Sequence, residues 1–165
     1  MSQPALTATE MMAWVDRTWD RWRSLIAAHP EALDLPCDIM GIATVGGLLQ
    51  HVVAVELRDA ERLSGLPETG YASIPFDSIE SICATHRRAG ELFSQQLGSD
   101  VDWDRNIDFT TRSMGPARSS RKTVLFHAML HSARHLTQLA TLLRQHGIRP
   151  DRPMDYLVMD LDPAS

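Results

Sequence analysis

Four stretches of the chain repeat apolar residues every three to four positions, the period of a helix with one face turned to a core. In the first, Met11, Val15, Thr18, Trp22, Leu25 and Ile26 form the stripe. Thr7 followed by Glu10 has the spacing of a capping box and Pro30 closes the segment, so a helix is predicted from Thr7 to Ala28. Residues 30–42 contain Pro30, Pro36 and Gly41 and read as a loop. A second helix is predicted from Thr44 to Leu63 on Leu48, Leu49, Val52, Val55 and Leu57, with a charged far end from Glu56 to Arg62. Gly46-Gly47 near its start costs about 1 kcal/mol per residue against alanine, which points to a close approach by a neighbouring helix.

The third stripe begins at Asp77 or Ser78 and runs through Ile79, Ile82, Cys83, His86, Gly90, Phe93 and Leu97 to Gly98. A polar stretch to Ser120 follows, holding Trp103 and the alternating patch Ile107-Asp108-Phe109-Thr110, which reads as a short strand or as extended chain. The fourth helix is predicted from Ser120 to His146, with Gly147 as its cap and Pro150 beyond. Tyr156, Leu157, Val158 and Met159 suggest a closing turn or short helix. Four helical patterns without a convincing set of strands predict an all-α four-helix bundle, one domain over residues 1–165.

Composition narrows the function. With 44% hydrophobic and 22% charged residues the chain is globular in character, and its net charge of −5 comes with no basic stripe, so no nucleic-acid partner is expected. The start MSQPALTATE has neither the basic head nor the apolar run of a signal peptide, and no stretch reaches the ~20 apolar residues that span a bilayer. Cys37 and Cys83 are far apart and in no paired motif; a reducing, cytoplasmic setting without a membrane partner is the expectation.

Seven histidines carry the chemistry. His127, His131 and His135 stand four residues apart, on one helical face with Cβ atoms about 5–6 Å apart per step. Neighbouring imidazoles at that spacing can share an ion at roughly 2.0–2.1 Å, but the outer two lie about 12 Å apart along the axis. A mononuclear site must therefore use 127/131 or 131/135 and recruit a ligand from another helix. His51, set among Leu48, Leu49, Val52 and Val55, is the candidate, and the helix-four pair sits beside Leu130 and Leu139 on an inward face. The alternative is a set of core histidines bonded to neighbours.

The run from His127 through His131, His135 and Gln138 to Gly147 resembles the last core helix of the DinB/YfiT-like bundle family, and Thr44 to Glu56 resembles its second helix. Helix order and length agree over essentially the whole chain. That resemblance implies a bundle of up-down-down-up type with a short C-terminal capping segment. It implies metal ligands at His51, His131 and His135, the register being set by Gln138, with His127 an outer histidine. Around the last ligand the chain departs from the family's usual His-His-Arg-Gly-Gln: Arg134 precedes His135 and Leu136 follows it.

Three neutral nitrogen ligands leave a coordination position open and would keep the full charge of a divalent ion, zinc, nickel or iron. The resemblance implies a metal-dependent S-transferase using a low-molecular-weight thiol on a small electrophilic substrate, and a homodimer. The competing expectation is a non-catalytic metal-binding or stress-response protein, favoured if a fourth protein ligand such as His86 plugs the site. His86 otherwise reads as a packed histidine bonded to a neighbour. Glu56 reads as a solvated or salt-bridged residue off the His51 face, Trp14, Trp19 and Trp22 mainly as core, with Trp19 off the main stripe and open to a partner subunit as the alternative, and Cys83 as inert. Neither Glu-x-x-His pairs of di-iron bundles nor a His-Glu-x-x-His motif occurs.

Overall fold

The computed structural model describes residues 5–151 and 153–159; the remainder of the single domain expected over 1–165, including Met1–Pro4 of the N-terminal stretch, lies outside the described residues. Four long helices dominate: α1 (Ala8–Ala28), α2 (Val45–Leu63), α3 (Ile79–Leu97) and α4 (Arg121–Gln145). Each begins where a side-chain oxygen can serve an otherwise unpaired backbone N–H. Thr7 and Glu10 close the anticipated capping box, while Thr44, Ser78 and Ser120 accept from the amides of Gly47, Ser81 and Thr123. Gly147, at φ +81°, follows the end of α4 in the left-handed conformation expected of its cap.

Helix α2 packs against both α3 and α4, and α1 closes the far side against the same two helices. Trp19, Trp22 and Ile26 meet Leu48, Leu49, Val52, Ile82, Leu125, Leu139 and Leu143 in one apolar core. Between α1 and α2 the expected loop contains two helical turns, Pro30–Asp34 and Ile39–Gly41. A Cβ on Gly46 would stand 3.3 Å from the Leu33 carbonyl oxygen, and one on Gly47 would stand 3.0 Å from Ile42 Cγ2. Phe76, from the connection between α2 and α3, comes as near to Gly46, at 3.4 Å, so the close neighbours of the glycine pair are these connecting segments rather than another long helix.

The alternating patch is a strand. β1 (Asn106–Thr111) pairs antiparallel with β2 (Gly115–Ser120), with Phe109 opposite Ala117. The hairpin runs directly into α4, because Ser120 both ends β2 and caps the helix. In the tail, α5 (Tyr156–Met159) is the short helix, with the Tyr156 ring edge-on to Trp14 at 5.9 Å. No helix among the described residues is long and apolar enough to cross a membrane.

Three assignments change. Trp19 is 1% exposed and belongs to the core rather than to a partner-facing surface: Val15, Trp19, Trp22 and Ile26 follow one another at three-to-four spacing and all are buried. Leu130 is 57% exposed: it sits a rotation of about 100° from His131, and the histidine takes the inward position. Glu56 lies off the cleft-facing side of α2 and is ion-paired, with His86, as one of the two expectations had it, but it is buried rather than solvated.

Candidate metal centre

His51 comes from the middle of α2, and His131 and His135 from successive turns of α4. Since α2 and α4 pack side by side, the three rings converge: their centroids lie 4.8 Å (51–131), 5.0 Å (51–135) and 4.4 Å (131–135) apart. One ligand nitrogen from each falls within 4.8 Å of the other two. His127, one turn before His131, stands apart from this cluster, as does His86.

The donor chemistry suits a cation. His131 and His51 point Nε2 atoms at one another at 3.1 Å, and the buried Nδ1 of His131 has no hydrogen-bond partner among the described residues. Gln138 Oε1 accepts from His135 Nδ1 at 2.7 Å, which fixes the tautomer and leaves Nε2 as the lone-pair nitrogen. Arg134 Nη2 donates to that lone pair at 3.0 Å, a contact that a bound cation would replace. The residues present therefore fit a divalent ion, and among the described residues no fourth protein donor joins them.

Proton affinity is low throughout the cluster. Burial, then the neighbouring histidines, then Arg134 push His131 down to about 3. Burial, His135, Arg112 and Arg134 bring His51 to about 4. Burial and Arg134 also lower His135, against the opposing bond to Gln138. All three imidazoles are neutral near pH 7 and keep their lone pairs, as metal ligation requires.

The cluster opens on a cleft of about 630 Å³. One wall is α2 and α4, including Ala54, Val55 and Val124; the other is the β1–β2 hairpin, with Phe109 and Arg112. Tyr71, from the connection between α2 and α3, lies between Arg112 and His51: the guanidinium sits 4.2 Å from its ring centre, and its ring is 6.5 Å from that of His51. On the α4 side, the buried Asp59 carboxylate accepts from His127 Nδ1 at 3.0 Å and leaves Nε2 free on the cleft wall.

Sequence reasoning missed the Asp59–His127 pair, Arg112 and Tyr71. Asp59 and His127 are 68 positions apart and lie on different helices, and the hairpin's role as a wall depends on where it folds back. His86 is not at the cleft. It stacks on Trp19 at 5.1 Å and bonds Glu56 (2.8 Å) and Asp16 (3.1 Å), on the other side of α2. Cys83 is buried with its thiol pushed up to about 11 by desolvation, an unreactive state.

Fold and site together define a helical-bundle protein whose packed helices present an open three-histidine cluster. The chain belongs to the DinB family, whose model matches residues 1–164. No curated protein matches the sequence.

Proposed function

We propose that this protein is a divalent-metal-dependent enzyme that transfers a low-molecular-weight thiol to a small electrophile. The observation carrying the proposal is the convergence of three neutral imidazoles beside an open cleft, His51 and His131 lining it and His135 buried behind them, in a chain of the DinB family. His51, His131 and His135 hold the ion. When bound, it keeps its full charge among neutral ligands and lowers the pKa of a thiol or water at its open position. Zinc, nickel and iron all suit imidazole donors.

Within the chain, Gln138 orients His135, and the apolar residues of the two facing walls, Ala54, Val55 and Val124 on one and Phe109 on the other, receive the body of the substrate. His127, held by Asp59 through Nδ1, accepts the thiol proton at Nε2. The sulfur lone pair then forms the S–C bond as the leaving group departs with its electron pair. Its partner is a small molecule rather than a nucleic acid or a membrane.

Elemental analysis of purified protein tests the centre: about one divalent ion per chain, lost in His51→Ala, His131→Ala and His135→Ala and retained in His127→Ala and His29→Ala. Turnover is tested by mixing the metal-loaded protein with bacillithiol, mycothiol or glutathione and a model electrophile. No rate above that of His131→Ala with any of the three thiols refutes the transferase.

A further inference from the structure

The cleft beside the histidines carries unbalanced positive charge. Of the five arginines along it, Arg58 and Arg62 are neutralised by Glu68 and Asp59 at 3.1 Å or less, and Arg118 faces Asp108 at 3.7 Å. Arg112 and Arg134 have no carboxylate partner among the described residues. Arg112 is held only by the face of Tyr71, and Arg134 only by the lone pair of His135. Both line the same cleft as His51 and His131. Among the described residues Asp59 is the single carboxylate on the cleft lining, and Arg62 and His127 already engage it. A cation seated on the histidines would add to this charge and take the lone pair that Arg134 now occupies, freeing that guanidinium for another acceptor.

We infer that the cleft binds a carboxylate-bearing small molecule, its apolar body against Val55, Val124 and Phe109 and its carboxylate on Arg112 and Arg134. Guanidinium groups match a carboxylate with paired donors, and a partly closed cleft strengthens each such bond over its value in water. This names a substrate class for the proposed reaction and rests on that reading for the chemistry, but the anion site stands on the arginines. The carboxylate belongs either to the electrophile or to the thiol, and the two sources are separable.

Isothermal titration of the protein, metal-loaded and metal-free, would compare benzoate with benzamide and glutathione with its diethyl ester. We expect at least a tenfold preference for the acid in one pair, lost in Arg112→Gln/Arg134→Gln at unchanged metal content and unchanged circular dichroism. A preference in the benzoate pair assigns the carboxylate to the electrophile, and one in the glutathione pair assigns it to the thiol. No preference in either pair, or a preference that survives in the double variant through direct bonding to the metal, overturns the inference. Failure of the wild-type protein to take up metal would instead refute the metal centre, and titration of the metal-free form would still decide the anion site.

Discussion

Replacing Glu56 by glutamine should destabilise the protein at pH 6 and do much less at pH 9.5. Glu56 and His86 are paired inside the bundle, with side chains 4% and 10% exposed. Burial alone would pull the imidazole down; the Glu56 charge and the bonds from Asp16 and Glu56 outweigh it and raise His86 from its ordinary 6.5 to about 9. A raised imidazole binds its proton more tightly in the folded chain. Its stabilising contribution is therefore complete below pH 6.5, falls between 6.5 and 9, and is gone above that. A gap of roughly 2.5 pH units at about 1.4 kcal/mol per unit gives about 3–4 kcal/mol in all, of which Glu56 supplies the larger share and Asp16 the rest.

Glutamine is the informative substitution because it removes the charge and retains an oxygen for Trp19 Nε1 and Ser132 Oγ, which now donate to Glu56. Urea unfolding at half-unit steps from pH 6 to 9.5 should show a penalty of up to about 3 kcal/mol at the acid end, shrinking below about 1 kcal/mol at the basic end. A domain of this size, with roughly 5–15 kcal/mol to lose, remains folded throughout. The Cys83 thiol, raised to about 11, adds its own loss of stability above pH 9, but it is common to both proteins and cancels in the difference. A penalty that is the same at pH 6 and pH 9.5 would show that His86 is not held as a cation.

Other outcomes follow from the same geometry. Gln138→Leu should weaken metal affinity about 10–100-fold by releasing the tautomer of His135, measured by competition with a chelator. His127→Ala should keep the metal while kcat falls about 100-fold or more in steady-state turnover of a model electrophile. Because His51 and His131 are held down to about 4 and 3 while the unfolded chain binds protons from about 6.5, the metal-free protein should lose stability as pH falls below 6.5. His51→Gln should flatten that acid slope in denaturant titrations. Gly147→Ala should cost about 1–2 kcal/mol in thermal unfolding, since φ +81° is strained for any side chain.

Helix boundaries and the candidate ligands could be read directly from the chain. The Thr7–Glu10 box, the Ser120 cap and Gly147 are local signals that act within a turn or two, and they sit where a helix needs them. The i,i+4 spacing placed His131 and His135 on one face because helical geometry leaves no alternative. Spacing left the choice between 127/131 and 131/135 open; the family resemblance favoured the second pair, and it is the one that meets His51.

Tertiary packing decided the rest. Glu56 lies in a charged stretch of α2, and only the arrival of Trp19, His86 and Ser132 from three other helices makes a buried carboxylate tolerable there. Trp19 is buried because α1 is covered more widely than a single stripe predicts. Arg112 comes to face the cleft because the hairpin turns back beside α4, a long-range arrangement for which adjacent residues hold no signal. Local sequence thus determines which residues can be helical and which face they share, since those forces reach only one turn. Which faces meet, and so which charges and imidazoles share a cavity, is set by the packing of the whole core.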